Sequence, residues 1–157
     1  MKVLYICTHN RCRSILSEAI TNHLAKGRIQ AFSAGSHPAE HVHPLTLKHL
    51  ARNGIPINGL KSRSWDDFES EKFDLVITVC DNATNELCPV WFGDSAKVHW
   101  GLPDPSKQAG SEEDIAQAFK DVMQTIEKRI KNLLALNLDE LSMHERDGAL
   151  SSLTKEQ

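Results

Sequence analysis

A cysteine and an arginine with five residues between them follow directly on a short apolar run near the start of the chain. The run Val3–Ile6 predicts a buried strand, and residues 7–13 then form a loop that leads into a helix. A loop of this length can curl with its backbone N–H groups pointing inward, which makes a cup for a tetrahedral oxyanion. The helix dipole and the Arg13 guanidinium favour negative charge in the cup, and they also favour the thiolate of Cys7, the form that attacks. We therefore predict an anion pocket with a nucleophile at its base.

The whole loop is expected to take part in binding the anion. The predicted oxyanion-binding residues are Thr8, His9, Asn10, Arg11, Cys12, Arg13 and Ser14. Ser14 is placed to donate its hydroxyl to the Cys7 thiolate, and Cys12 is expected to be a structural thiol of the loop. The alternative is an inert cysteine buried at a strand end, but the strand–loop–helix context favours the reactive one.

Length and composition restrict the classes of function. A chain of 157 residues suits one domain. Its formal charge of −3 does not indicate binding to nucleic acid or to an anionic membrane, both of which are negatively charged. No apolar run approaches the length of a membrane span, and the sequence enters a strand without a secretory leader. Four cysteines in such a chain favour a reducing cytoplasm, where thiols are catalytic or metal-binding more often than structural. We expect a cytoplasmic monomer.

Strand and helix patterns alternate along the chain. Strands are predicted over about residues 2–6, 29–33, 73–79 and 97–100; helices over about 14–26 and 44–53 and in a long segment capped by Ser111; and a short helix or turn over 65–68. This alternation predicts a three-layer, doubly wound α/β fold with a four-stranded parallel sheet in the order 2-1-3-4. We assign residues 1–138 to this single domain and residues 139–157 to a polar, mobile tail. Ligands of such sheets bind outside the carboxyl ends of the strands, where the Cys7 loop lies.

A second pair of cysteines lies at the end of the strongest predicted strand. Cys80 comes after the run 73–79, and Cys88 follows eight positions later. On a continuous helix their Cα atoms would be about 12 Å apart, whereas a disulfide needs about 7 Å or less. The pair can therefore bridge only if the segment between them bends, which suggests a mobile segment that carries a thiol to and from Cys7. The alternative is two ordinary surface thiols, and the lack of a C-x2-C spacing argues against zinc.

Asp104 lies between two prolines after the last predicted strand. A carboxyl group on this stiff loop can protonate a leaving oxygen as a general acid, although a simple turn-forming aspartate is the alternative. The three histidines His37, His41 and His43 share one loop, but no cysteine or carboxylate spacing supports a metal site there, so we predict none.

These residues resemble the low-molecular-weight phosphatase family, and more closely its arsenate reductase branch, over residues 2 to about 135. The family's anion loop is matched by Cys7, Asn10, Cys12, Arg13 and Ser14, and its late Asp-Pro motif by Asp104-Pro105. His9 replaces the glycine usual in the phosphatases, and Ser106-Lys107 stand where many tyrosine phosphatases carry paired tyrosines.

The resemblance also extends to the later cysteines and to a cation site. Cys80 and Cys88 resemble the resolving pair of thioredoxin-coupled reductases, with a spacing about one residue longer, so a glutathione-assisted variant stays open. Asn10, Glu18 and Ser33 resemble a monovalent cation site of some reductases.

The resemblance implies reduction of arsenate to arsenite, with Cys7, Arg13, Asp104, Cys80 and Cys88 as catalytic residues. Phosphate and sulfate are the expected analogues of arsenate. An external thiol reductant, either thioredoxin or glutathione with glutaredoxin, would complete the cycle, and no tightly bound cofactor is expected. One alternative is a phosphatase that uses Cys7, Arg13 and Asp104 alone. The other is a non-catalytic oxyanion or redox sensor.

Overall fold

Four parallel strands form the centre of the molecule. The structure, a computed structural model, describes residues 1–81, 95–137, 142, 144–146 and 148–149. The strands are β1 (Lys2–Cys7), β2 (Gln30–Gly35), β3 (Leu75–Thr78) and β4 (Ala96–His99), and they pair in the order β2-β1-β3-β4. The predicted parallel sheet and its strand order are confirmed.

The register brings the carboxyl ends of the strands to one edge of the sheet. Ile6 of β1 pairs with Thr78 of β3, and Cys7 pairs with Gly35 of β2. β1 is central, and its residues from Val3 onward are buried, as expected for a strand covered on both faces. The third strand is shorter than the predicted 73–79, because Phe73 leaves the ladder to pack in an aromatic cluster.

The three long helices of the described part of the fold are α1 (Arg13–Ala25), α2 (Pro44–Arg52) and α3 (Glu112–Ala135). α1 and α3 pack against each other on one face of the sheet, over the larger hydrophobic core. α3 begins at a capping box, in which Ser111 and Asp114 satisfy each other's backbone N–H groups, so the predicted cap is confirmed. At its other end, Arg28 donates to the carbonyl oxygen of Leu134 at 3.1 Å.

The opposite face of the sheet carries a smaller aromatic core. The rings of Phe32, Phe68 and Phe73 meet edge to face with centroids 5.7 to 5.9 Å apart. Phe68 ends the 3₁₀ helix Trp65–Phe68, which agrees with the short helix or turn predicted there. The chain that enters this helix, residues 61–64, passes beside the Cys7 loop and contributes to it.

Only part of the predicted tail is described. Residues 144–146 are helical, Ser142 and Glu145 cap each other's backbone N–H groups, and Ala149 packs against the larger core. No helix within the described ranges has the length and apolar character needed to cross a membrane.

Candidate active site

The loop between β1 and α1 is held in a tight, buried curve. Cys7 is the last residue of β1, and Arg13 is the first residue of α1, so strand and helix fix both ends of the loop. At its middle, Asn10 adopts a left-handed backbone conformation with φ of 47°, which asparagine tolerates better than most residues. Cys7, Asn10 and Arg13 are all buried. The loop is therefore an ordered part of the fold rather than a surface excursion.

The loop carbonyl groups point away from the centre of the curve, toward donors on neighbouring segments. Thr8 O accepts from His37 N at 2.8 Å, His9 O from Ala39 N at 3.0 Å and Ser62 Oγ at 3.1 Å, and Arg11 O from His43 N at 2.9 Å and Thr46 Oγ1 at 3.2 Å. In a trans peptide the N–H group points opposite to the carbonyl group. The amides that follow these three carbonyls are therefore directed inward, and Asn10 N indeed lies 3.2 Å from Cys7 Sγ. The curve therefore has backbone amides on its inner side, as an oxyanion-binding loop would require; the binding itself stays a prediction.

Gly35 allows β2 to approach the loop closely. A Cβ atom at this position would lie 2.5 Å from Thr8 O and 3.0 Å from Asn10 N, both of them backbone atoms. Any side chain here would displace the curve, so the glycine is required by the packing of the loop against the sheet.

The sulfur of Cys7 is surrounded by hydrogen-bond donors. Asn10 Nδ2 donates to Ser14 Oγ at 2.8 Å, which leaves the Ser14 hydroxyl proton to point at Cys7 Sγ, 2.9 Å away. The backbone N–H of Asn10 is the second donor. Asn10 is itself held through its Oδ1, which accepts from Arg63 N at 2.7 Å. Two donors therefore point at the sulfur atom of the predicted nucleophile.

Arg13 and Asp104 meet above the loop. Arg13 Nη1 donates to Leu102 O at 3.1 Å, and its Nη2 lies 3.9 Å from Asp104 Oδ2. The other carboxylate oxygen, Oδ1, accepts from both N and Oγ of Ser106, at 3.0 and 2.6 Å. Ser106 therefore turns Oδ2 toward Arg13. The role of Ser106 was not predicted, although a serine two positions after an aspartate is a recognisable turn signal.

A cavity of about 270 Å³ opens over the loop. Its lining residues are Cys7, Thr8, His9, Arg11, Cys12, Arg13, Asp104 and Lys107. Five of the predicted loop residues other than Cys7 line it, whereas Asn10 and Ser14 lie behind the wall and act on Cys7 instead. Lys107 is a further lining residue that the sequence interpretation did not assign. The lining is rich in positive charge, which suits an oxyanion.

Cys12 is a free thiol in the wall of this cavity, only 2% exposed. Burial is the main cause that raises the pKa of Cys12 to about 12, so it stays protonated at neutral pH. This agrees with a structural thiol rather than a second nucleophile.

Cys80 follows β3 at the same edge of the sheet. Val79 N donates to Ile6 O at 3.0 Å, so the pairing of β3 with β1 continues to the residue before Cys80. Cys80 is fully buried and disulfide-bonded, whereas Cys7 and Cys12 are free thiols. Cys88, the other predicted relay cysteine, lies outside the described residues.

Three other polar side chains near the loop, those of Ser33, Glu18 and His43, form contacts within the protein. Ser33 Oγ donates to Glu18 Oε1 at 2.8 Å, and burial raises the pKa of Glu18. His43 caps α2, since its Nδ1 accepts from Leu45 N at 3.1 Å. Within the described ranges, no group of three metal-ligating side chains is present.

The family model for low molecular weight phosphotyrosine protein phosphatase matches residues 2–145 of the chain. An arsenate reductase of Halalkalibacterium halodurans is 36% identical over 83% of this chain and 93% of its own length. The glutaredoxin arsenate reductase of a Synechocystis species is 31% identical over 85% of this chain and 96% of its own.

A solved structure, that of an arsenate reductase from Archaeoglobus fulgidus, superimposes with a TM-score of 0.71 at 32% identity. It covers 85% of this chain and 98% of the other. The chain thus belongs to the low molecular weight phosphotyrosine protein phosphatase family, within which it is similar to arsenate reductases.

Proposed function

We propose that this protein reduces arsenate to arsenite, with Cys7 as nucleophile and Cys80 and Cys88 as the thiols that carry the electrons. One observation carries the proposal. Cys7 lies at the base of the oxyanion cup, with two hydrogen-bond donors at its sulfur. A second cysteine, Cys80, lies at the same edge of the sheet and forms a disulfide. A phosphatase needs only the first of these features.

The first step uses the cup and the acid loop. The Cys7 thiolate attacks arsenic, while the loop amides and Arg13 stabilise the negative charge on the arsenate oxygens. Asp104, which lines the cavity beside Arg13, delivers a proton to the departing oxygen, which leaves as water. The product is arsenic(V) bound covalently to Cys7.

The second step distinguishes reduction from hydrolysis. The Cys80 sulfur attacks Cys7 Sγ, a sulfur–sulfur bond forms, and the sulfur–arsenic bond breaks with its electron pair on arsenic, which leaves as arsenite. Cys88 then attacks Cys80, so that the disulfide passes to the Cys80–Cys88 pair and Cys7 is released. The disulfide at Cys80, in which neither Cys7 nor Cys12 takes part, supports this final state.

An external thiol reductant must reopen the disulfide for another turnover. The name of the Synechocystis relative associates that protein with glutaredoxin, which supports glutathione with glutaredoxin for this chain. Thioredoxin is the second candidate, because it reduces exposed protein disulfides directly. The two donors differ in whether glutathione is required.

Phosphotyrosine hydrolysis is the competing function within the family. An aryl phosphate needs apolar or aromatic walls beside the anion site, whereas the cavity wall, as far as the structure describes it, has no phenylalanine, tyrosine or tryptophan. Arg11 and Lys107 at the cavity favour a small, fully ionised anion. We therefore place arsenate reduction ahead of phosphotyrosine hydrolysis.

The deciding experiment measures arsenate-dependent turnover with thioredoxin and its reductase, and separately with glutathione and glutaredoxin. Wild type is compared with Cys80→Ser, Cys88→Ser and Cys12→Ser. We expect turnover with one of the donors, its loss in the first two variants and its retention in Cys12→Ser. Full arsenate turnover in Cys80→Ser would refute the relay. Hydrolysis of aryl phosphates without any arsenate turnover would favour the phosphatase, and a single oxidation without turnover would favour a sensor.

A further inference from the structure

A histidine that the proposed mechanism does not use lies beside the Cys80 segment. His99 is the last residue of β4, and it pairs in register with Thr78, two residues before Cys80. Its Nδ1 atom lies 2.8 Å from Thr78 Oγ1. The contact fixes the imidazole ring, so that Nε2 is held at the carboxyl edge of the sheet.

The alternation of β3 puts Cys80 on the same side of the sheet as this ring. Ile77 and Val79 belong to the core under α1 and α3, whereas Val76 belongs to the core on the opposite face. Side chains of a strand alternate between faces, so Thr78 and Cys80 fall on the side of Val76. His99, as the register partner of Thr78, falls on that side too.

Gly101 brings the ring and the Cys80 peptide close together. A Cβ atom on Gly101 would lie 3.3 Å from His99 Nε2 and 3.6 Å from the carbonyl oxygen of Cys80. The space beside the Gly101 Cα atom thus borders both the His99 ring and the Cys80 carbonyl oxygen. Arg129 on α3 donates to Gly101 O at 3.3 Å, which anchors the segment to the core.

The surroundings of the ring favour its neutral form. Burial, followed by the positive charge of Arg129, lowers the pKa of His99, and the nearby carboxylate of Asp81 opposes this in part. These are the charged groups that act on His99 from α3 and from the Cys80 segment. A neutral imidazole can accept a proton, and this one lies at the same edge of the sheet as the Cys80 peptide.

We infer that His99 is the base that takes the proton from Cys80 in the second step of the proposed reduction. In this assignment Nδ1–H donates to Thr78 Oγ1, and Nε2 accepts the Cys80 proton as that sulfur attacks Cys7 Sγ. The sulfur–sulfur bond forms, the electron pair of the sulfur–arsenic bond stays on arsenic, and the imidazolium then gives its proton to water. The inference rests on the proposed function for this step, but the ionisation of Cys80 can be measured without arsenate.

The test compares Cys88→Ser with the double variant Cys88→Ser/His99→Asn, both fully reduced. Asparagine keeps a polar atom near the position of Nδ1 for Thr78 but has nothing in the place of Nε2. The rate of iodoacetamide alkylation is followed by mass spectrometry separately at Cys7 and Cys80 between pH 5 and 10. His23→Asn in the same background is the matched control, because His23 is exposed on α1.

We expect His99→Asn to move the Cys80 alkylation profile to higher pH and to leave the Cys7 profile unchanged. In a second measurement, arsenate-dependent formation of the Cys7–Cys80 disulfide should be slower by about 10²-fold at neutral pH and should recover at alkaline pH. His23→Asn should behave like its parent.

An unchanged Cys80 alkylation profile in His99→Asn would overturn the inference, and so would a disulfide rate lowered equally at every pH. If the parent forms no disulfide with arsenate, the proposed function fails, while the alkylation data still decide whether His99 governs the ionisation of Cys80.

Discussion

A short chain of hydrogen bonds leads to the sulfur of Cys7, and we propose that it governs the reactivity of this residue. Arg63 N donates to Asn10 Oδ1, and Asn10 Nδ2 donates to Ser14 Oγ. The Ser14 hydroxyl group in turn contacts the sulfur of Cys7. Asp104 is oriented in the same way, because Ser106 occupies Oδ1 with two donors and leaves Oδ2 to face Arg13. Each of these two groups is thus oriented by a neighbour that is not among the lining residues of the cavity.

Ser106→Ala tests the orientation of Asp104. Without the hydroxyl the carboxylate can rotate, so we expect a kcat for arsenate about tenfold lower, which is part of the roughly 10²-fold or more that a positioned acid contributes. KM should not change, since Ser106 is not among the lining residues of the cavity. Ser106→Thr keeps the hydroxyl and should restore kcat. A change in KM alone, or no change at all in Ser106→Ala, would show that Ser106 does not position the acid.

The sequence predicts the reacting residues better than the residues that aim them. Cys7, Arg13 and Asp104 stand out because thiol, guanidinium and carboxyl groups have chemistry of their own at recognisable spacings. Ser106 and Arg63 act through a turn and a backbone N–H, and such contacts become visible only once distant segments are brought together.

At the scale of elements, the register of the parallel sheet places the loop. The carboxyl ends of β1, β2 and β3 lie at one edge, and the segments that follow β2 supply donors to the outward carbonyls of the loop. The strand patterns predict this edge, because buried β-branched runs are a strong signal. They do not predict that residues 36–46 and 62–63 brace the loop, since irregular segments have no periodicity to interpret.

Gly35→Ala tests the close contact between β2 and the loop. The added methyl group would meet Thr8 O and Asn10 N, so the curve must shift. We expect sulfate to lose its protection of Cys7 against alkylation, and the free energy of unfolding to fall by about 1–3 kcal/mol.

Gly148→Ala is the control for Gly35→Ala, because a Cβ atom there would meet nothing within 4 Å. Retained protection by sulfate in Gly35→Ala would contradict the requirement for glycine beside the loop.

His49 couples α2 to α3 and should make stability depend on pH. Its ring is buried and stacks on Phe119 with centroids 4.4 Å apart, and burial, with Arg52 and Lys48, lowers the pKa of His49. Below pH of about 6.5 the unfolded chain therefore binds the proton more readily than the folded chain. The free energy of unfolding should fall as the pH is lowered from 7 to 5.

The measurement for His49 is urea denaturation at pH 7, 6 and 5 in wild type and His49→Phe. Phenylalanine can keep the stacking but does not titrate, so the variant should lose less stability on acidification. His43 and His99, whose pKa values are also lowered, contribute equally to both proteins. An identical loss in the two proteins would exclude His49 as a source of the pH dependence.

At the scale of the whole molecule, the four strands and the helices α1 to α3 all lie before residue 138. We propose that residues 1–138 form the catalytic unit and that residues 139–157 are accessory. A chain ended after residue 138 should keep its arsenate turnover and lose about 1 kcal/mol of stability, because within the described part of the tail Ala149 packs against the core. Loss of turnover in a truncated chain that still unfolds cooperatively would show that the tail belongs to the catalytic unit.

The most direct test of the central claim is a single turnover without any external reductant. The fully reduced protein, with its four cysteines, is mixed with excess arsenate, and arsenite and free thiols are then counted per chain. We expect one arsenite released and two thiols lost per chain, because both electrons come from the protein's own sulfur atoms. Four remaining thiols with no arsenite would contradict this claim.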